Sequence, residues 1–318
     1  MKILIAGGSG LIGTALIGLL RDEGHSVVRL VRTRPQTEDE FVWDIERAEI
    51  DVAALEGVDA VIHLGGGNIA AGRWTAARKE VLWKSRIDST ALLVNALQRC
   101  AAPPKLFVCA SAIGIYGNRG DEVLSEESEL GHGFLADLGR AWESAAAASP
   151  MQVVHARFGV VLSRAGGALA KMHLPFKLGL GGRLGSGRQF MSWISLEDAV
   201  AAIYWMVSAR ALSGPVNVVA PAPVRNSEFT RALGRALGRP TLFPAPVFAL
   251  RMALGEMADE APAPAEAVDD DGEEQEEEVE GEPTPFDEAI DLLDRAIGSS
   301  GGGEEDEAAA AGGASASD

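Results

Sequence analysis

Residues 1–13 read MKILIAGGSGLIG. An apolar run, Lys2–Ala6, enters a glycine cluster, and Leu11 and Ile12 begin a second apolar pattern beyond it. Gly7, Gly10 and Gly13 are spaced G-x-x-G-x-x-G between a predicted strand and a predicted helix. In that setting the glycines permit a tight turn, a close backbone approach to a pyrophosphate, and close helix–strand packing. The helix start adds free amides and a partial positive charge. The bland alternative is a strand-to-helix corner with no ligand. Position at the head of a βαβ pattern favours the phosphate cradle, with Ser9, Leu11 and Ile12 contributing beside the three glycines.

Outward from this turn, strand and helix patterns alternate. Apolar strands are predicted at His25–Arg32, Val58–Leu64, Lys105–Ser111, Val153–Leu162 and Gly214–Val219. Helices are predicted at Leu11–Glu23, Asp51–Leu55, Thr75–Arg99, Leu135–Ala148, Ser195–Ser208, Ser227–Leu237 (Ser227 or Asn226 as N-cap) and Phe243–Met257. Alternation of this kind, with strands apolar throughout, specifies a parallel sheet covered on both faces. The fold class is therefore α/β, a doubly wound parallel-sheet Rossmann fold of about seven strands, with a smaller C-terminal substrate lobe. From Gly166 to Gly187 glycines dominate, and the segment reads as a loop over a site.

Composition divides the chain. The net charge is −18, but Asp259–Asp318 holds 22 acidic residues and one basic one, Arg295, a balance of −21. Residues 1–258 then carry 27 basic against 24 acidic residues, or +3, too little to suggest nucleic-acid binding. After Met257 the chain turns Pro- and Glu-rich and lacks the apolar surface to offset its ordering entropy. The expected organisation is an NADP(H)-binding domain at 1–165 (with one strand and helix from 190–220), a substrate lobe at 166–257, and a disordered acidic tail at 258–318. Within the tail, Phe286, Ile290, Leu293 and Ile297 share one helical face, so 285–297 is either a transient helix or a docking helix for this protein or a partner. No secretory h-region or membrane-length apolar run is present, and Cys100 and Cys109 lack metal-ligand spacing. A cytoplasmic setting, with no membrane or metal partner, is expected.

The second strand selects the cofactor. NAD-binding units usually end it with an acid for the ribose 2′-OH. Here it ends LVRTR, and Arg32, helped by Arg34, suits a 2′-phosphate. The cofactor expected is NADP(H). The bland alternative is a solvent-facing arginine. Asp44 is expected near the adenine, and Leu64, Gly65 and Gly66 at the cofactor edge of the next strand.

Further stretches carry a resemblance: HLGGGNIAAGRW at 63–74, WKSRIDST at 83–90, SAIGIYG at 111–117, RFGVVLSRAGGAL at 157–169, LPFKLGLGGRLGSGRQFMSWISLEDAV at 174–200 and GPVNVVAP at 214–221. With GGSGLIG, these make residues 1–257 resemble the extended short-chain dehydrogenase/reductases, the NAD(P)-dependent epimerase/dehydratase superfamily. The likeness is to an atypical branch of epimerase family proteins, nucleoside-diphosphate-sugar epimerase-like and sometimes labelled SulA-like cell division inhibitors. Typical members of the superfamily carry Tyr-x-x-x-Lys on the helix after the SAIGIYG-like strand. Those places fall at Leu135 and Gly139, which cannot do that proton chemistry. The branch also continues past a GEMADE-like segment with a small helical domain, replaced here after about Ala258 by the acidic segment.

The resemblance places Ser111 where the superfamily has its catalytic Ser or Thr, either polarising substrate or binding the nicotinamide amide. Tyr116 is the second catalytic candidate, with a packing role as its alternative. Asn68, Arg73, Trp74, Arg86, Gln189 and Trp193 are the substrate-binding candidates, Arg86 as a bidentate clamp on a carboxylate or phosphate. Arg157 and Asp198 match framework positions. The function expected is that of an NADP(H)-dependent oxidoreductase or sugar-nucleotide epimerase-like enzyme acting on a small polar substrate, nucleotide sugars included. The alternative is a non-catalytic NADPH-binding regulatory or interaction protein.

Overall fold

In chain order the strands are β1 (Lys2–Ala6), β2 (Ser26–Val31), β3 (Glu40–Asp44), β4 (Glu49–Ile50), β5 (Ala60–His63), β6 (Leu106–Ala112), β7 (Gln152–Phe158), β8 (Val160–Ser163), β9 (Phe190–Met191), β10 (Trp193–Ser195), β11 (Gly214–Val218) and β12 (Val224–Arg225). The helices are α1 (Leu11–Asp22), α2 (Ala76–Gln98), α3 (Phe134–Ala147), α4 (Gly167–Lys177), α5 (Leu196–Ala209) and α6 (Asn226–Ala236). This computed structural model describes residues 1–209, 211–242, Pro244, Gly255, Glu256 and Ile290.

Apolar side chains on both faces of the central strands force coverage from both sides. Ile3, Leu4, Ile5, Val61, Ile62, Phe107 and Val108 are all fully buried. The main sheet runs β11-β7-β6-β5-β1-β2-β3-β4, parallel except for the closing β3–β4 pair. α1 packs with α5, and α2 packs with α3. The crossover after β1 sends the chain to β2 on one side, and β5 and β6 build outward on the other. The carboxyl ends of β1 and β5 therefore meet at the point where strand order reverses, the place such sheets bind ligands. The sheet is Rossmann-like, as expected from the alternation. Among the described residues, no helix is long and apolar enough to cross a membrane.

Several elements differ from the sequence expectation. β3 and β4 were not anticipated, since EFVWD has only a short apolar stretch at a sheet edge. The strand expected over Val153–Leu162 is two strands. The chain breaks at Gly159, where a Cβ would sit 2.7 Å from the Ser192 carbonyl oxygen, and β8 leaves the main sheet to pair with β10. The loop expected over Gly166–Gly187 contains α4. Pro175 reads as a breaker, but it lies in the last turn, where its missing N–H costs one bond and leaves the earlier turns intact. α6 is capped at Arg225, one residue before Asn226 and two before Ser227, the expected caps. The Arg225 amide donates to Glu228 Oε2 at 2.7 Å.

A second apolar cluster lies apart from the main core: Leu162, Leu169, Phe176, Trp193, Val224, Phe229, Ala232 and Leu233. Ile290 joins it and is 3% exposed. The remainder of the expected 285–297 helix, the Phe243–Met257 helix apart from Pro244, Gly255 and Glu256, and the rest of the tail that was expected to be disordered lie outside the described residues. Ile290→Asp would place a carboxylate in this cluster, and burying a charge without a partner is costly. Its thermal midpoint should fall by several degrees, whereas Ile290→Val should stay near wild type; equal midpoints in a thermal scan would show that Ile290 contributes no burial in solution.

Candidate functional site

The glycine turn owes its shape to the absence of side chains. Gly7 has φ +88°, a region costly for any residue with a Cβ. A Cβ there would lie 2.7 Å from the Leu64 carbonyl carbon and the Gly65 nitrogen. One on Gly13 would collide with the Gly7 carbonyl oxygen and come within 2.8 Å of Gly8 Cα. The Gly10 amide closes the turn onto the Gly7 carbonyl at 3.1 Å. α1 then begins with Gly10 as N-cap, no side chain capping it and no acid in its first turn. First-turn amides of Leu11 and Ile12 therefore have neither an intrahelical acceptor nor a competing carboxylate. Ser9 is exposed on the turn. This is a fit for a dinucleotide pyrophosphate: a cradle that any Cβ would fill, at a helix start left free for an anion.

The neighbouring strand ends complete the edge. The Leu64 amide donates to the Ala6 carbonyl at 2.8 Å, which holds the 64–67 loop against the turn. Gly65 is half-buried and Gly66 exposed. Arg32 follows β2 and is exposed, as is Arg34; among the described residues neither forms an ion pair. Asp44 ends β3, but its carboxylate accepts the Arg47 amide at 3.0 Å and pairs with the Arg47 guanidinium at 3.7 Å.

His63 anchors the 64–67 loop from below. It is fully buried; the Gly65 amide donates weakly to its Nδ1 at 3.4 Å, and its Nε2 lies 3.0 Å from Ser89 Oγ. An accepting Nδ1 leaves the proton on Nε2, donated to Ser89, whose hydroxyl passes its own proton to a carbonyl of α2. Burial, then the nearby Arg86 charge, pushes His63 down to about 4. It is neutral wherever the protein works near neutrality.

The substrate candidates separate into two groups. Asn68 and Arg73 are exposed on the loop after β5. The Asn68 side chain accepts the Ala70 amide at 2.9 Å. Gln189 Nε2 donates to the Leu184 carbonyl at 2.9 Å, while its buried Oε1 has no protein partner. Lys171 on α4 donates to the Ala70 carbonyl at 2.8 Å and ties the second lobe to the 68–73 loop. Three other candidates lie in packed surroundings. Trp74 is 2% exposed, packs edge-on against Phe134, and gives its N–H to the Ile69 carbonyl. Trp193 is 6% exposed and gives its N–H to the Ala222 carbonyl. Arg86 donates to the Leu82 and Gly67 carbonyls and lies over the Trp142 ring, so its guanidinium props the glycine loop and is not free to clamp an anion.

The two catalytic candidates lie within a buried hydrogen-bonded network. Ser111 and Tyr116 are buried at 3% exposure each. Ser111 donates to Glu143 Oε1 at 2.7 Å. Arg157 forks onto both Glu143 oxygens at 2.8 Å and donates through Nη1 to the Tyr116 hydroxyl at 2.7 Å. Tyr116 passes its proton to Asn217 Oδ1 at 2.8 Å. Both hydroxyl protons are committed inside this network. Burial opposes the Glu143 charge, but Arg157 and Ser111 outweigh it and hold the carboxyl below its usual range. The sequence places Arg157 in the framework but marks neither Glu143 as its partner nor Asn217 as that of Tyr116. Asp198 is exposed, its amide accepted by Ser195 Oγ at 2.9 Å. Leu135 packs on Gly114, and a Cβ on Gly139 would sit 3.1 Å from Ile115. Among the described residues, no group of three or more His, Cys, Asp or Glu side chains could hold a metal ion.

With this geometry in view, comparison with known proteins is informative. A model of the NAD dependent epimerase/dehydratase family matches residues 3–135. The epimerase family protein Mb2239 of Mycobacterium bovis is 51% identical over 261 residues, covering 81% of this chain and 86% of its own length. The crystal structure of human epimerase family protein SDR39U1 (isoform 2) with NADPH superposes with TM-score 0.76 at 35% identity, over 82% of this chain and 89% of the human one. A nucleoside-diphosphate sugar epimerase from Corynebacterium glutamicum gives 0.64 at 30% identity, over 94% and 66%.

Two outcomes follow from the cradle and its support. Gly13→Val drives a side chain into the Gly7 carbonyl and should weaken dinucleotide binding by at least about tenfold in a fluorescence titration, the scale of losing charge-assisted contacts to the pyrophosphate. His63, whose pKa falls on folding, contributes stability that is complete above its ordinary value of 6.5 and is lost as pH drops toward about 4. Urea unfolding should lose about 3 kcal/mol across that window, and His63→Gln should flatten the dependence.

Proposed function

This chain belongs to the NAD dependent epimerase/dehydratase family, and from that premise we propose that it is an NADP(H)-dependent oxidoreductase or epimerase-like enzyme acting on a small polar substrate. The observation that carries the reading is the Gly7–Gly13–Gly65 cradle beside an Arg32 that no acid neutralises among the described residues. NADP(H), when bound there, supplies a hydride donor or acceptor. In this reading Gly7, Ser9, Gly10, Leu11, Ile12 and Gly13 present backbone to the pyrophosphate. Arg32 takes the 2′-phosphate, helped by Arg34. Leu64, Gly65 and Gly66 bring backbone close to the ribose side, and Asp44 flanks the adenine.

Asn68, Arg73 and the free Gln189 Oε1 are the substrate contacts that remain once Arg86, Trp74 and Trp193 are assigned to packing. They offer an amide, a cation and an acceptor, a set suited to hydroxyls and a phosphate or carboxylate. A nucleotide sugar has all of these, and the Corynebacterium glutamicum relative is described as a nucleoside-diphosphate sugar epimerase. The division into a cofactor domain at 1–165, completed by residues from 190–220, and a substrate lobe beyond it belongs to the same proposal. So does a cytoplasmic, thiol-reducing setting, which the two free cysteines suit.

A second reading is favoured by one specific observation. Leu135 and Gly139 lack acid–base groups, while the Ser111 and Tyr116 protons are internally held. An NADPH-binding regulatory or interaction protein without turnover would need no more. Titration with NADPH and NADH, followed by assay against nucleotide-sugar and carbonyl panels, separates the readings. NADPH should bind more tightly, and Arg32→Glu should abolish that preference while leaving NADH binding close to wild type. Tighter NADH binding by the wild type would overturn the cofactor assignment. Tight NADPH binding with no turnover on any panel member would select the regulatory reading.

A further inference from the structure

The loop between β2 and β3 carries Arg32 and Arg34, and it also carries acids. Glu38 and Asp39 lie in it, and Glu40 opens β3. An acid free to swing toward Arg32 would cancel the positive charge that a 2′-phosphate needs. In an NAD-binding unit an acid near this place takes the ribose 2′-hydroxyl instead. Where those carboxylates go therefore bears on cofactor choice.

Arg29, near the middle of β2, takes hold of this acidic end of the loop. Its Nε donates to Asp39 Oδ2 at 3.1 Å and its Nη2 to Thr37 Oγ1 at 2.8 Å. The same Nη2 lies 3.1 Å from Glu40 Oε1. Its backbone amide donates to the Asp39 carbonyl at 2.8 Å. Arg21, from the last turn of α1, adds a second cation on Asp39 Oδ2 at 2.6 Å. The other Glu40 oxygen accepts the Gln36 amide at 2.5 Å. Burial opposes the Asp39 charge, yet Thr37 and Arg29 outweigh it and hold its carboxyl at about 2, so it stays ionised and in place. The Arg29 stem also runs beside the glycine turn: a Cβ on Gly8 would lie 3.5 Å from its Cδ. One side chain thus runs beside the glycine turn, pins the far end of the loop and pairs with Asp39 and Glu40.

We propose that Arg29 is a positioning residue for cofactor choice, holding Thr37, Asp39 and Glu40 so that Arg32 and Arg34 face the 2′-phosphate unopposed. The proposal rests on the NADP(H) reading above. It assigns Arg29 no contact with the cofactor. Its effect passes through the shape and charge of the loop.

The test is the ratio of NADH to NADPH dissociation constants. A merely structural role for Arg29 would weaken both cofactors together and leave the ratio unchanged. Arg29→Met removes one cation from each of Asp39 and Glu40 and loosens their hold on the loop, and the ratio should fall about tenfold, the scale of one charge-assisted phosphate contact. Adding Asp39→Asn and Glu40→Gln to that variant removes the freed charges and should recover part of the preference. Arg21→Met removes one of the two cations on Asp39 at a more exposed site and should lower the ratio by a smaller factor; it decides the matter if Arg29→Met does not fold. An unchanged ratio in the folded variants overturns the role of Arg29 while leaving the NADP(H) assignment intact. A wild type that prefers NADH overturns the assignment itself.

Discussion

The site depends on a contact that excludes side chains. Gly7, at the end of β1, lies so near Leu64 and Gly65, and so near the start of α1 at Gly13, that no Cβ fits at either glycine. Three elements from separate parts of the sequence therefore meet through backbone alone. Parallel pairing places Ala6 opposite His63, so the ends of β1 and β5 are level and the two turns that follow emerge side by side. α1 is thereby aimed with its uncapped amides toward the sheet's carboxyl edge. The glycines determine both the local turn and the direction of the helix behind it.

Beneath that edge, polar groups on the α2 and α3 side are held with little slack. His63 is locked through Ser89 to α2, and Arg86 is locked to the loop it supports. Glu143 and Arg157 form a bidentate pair at 13% and 4% side-chain exposure. A buried ion pair is weak evidence of net stabilisation, since desolvation offsets much of its attraction. Removing one partner is costly, typically about 3–5 kcal/mol, because the other is left buried and charged. The pair therefore acts mainly as a constraint: it fixes Ser111 and Tyr116 relative to α3 and β11. That constraint removes two hydroxyls from the supply of mobile protons.

The glycine turn was legible in the sequence because backbone requirements leave sharp marks. Only glycine satisfies a positive φ and a missing Cβ together, and Arg32 at a strand end needs no tertiary detail to be noticed. The partners of Ser111, Tyr116 and Arg86 were not legible. Glu143 lies 32 residues from Ser111 and Asn217 lies 101 from Tyr116, and no periodic pattern encodes such pairings. The packing of Trp74 and Trp193 was not legible either. Burial in their own clusters is a tertiary outcome. α4 was hidden by Pro175 and flanking glycines, although Leu169 and Phe176, seven residues apart, bury one face of it.

Leu135 and Gly139 hold α3 by packing alone. The first packs on Gly114, and the second brings α3 within a methyl's distance of Ile115. Both contacts draw the helix onto the turn after β6, and a longer polar side chain at Gly139 would push it away. The apolar choice therefore tightens the wall beside the strand ends. Gln189 Oε1, by contrast, is a buried side-chain acceptor that no protein donor reaches among the described residues.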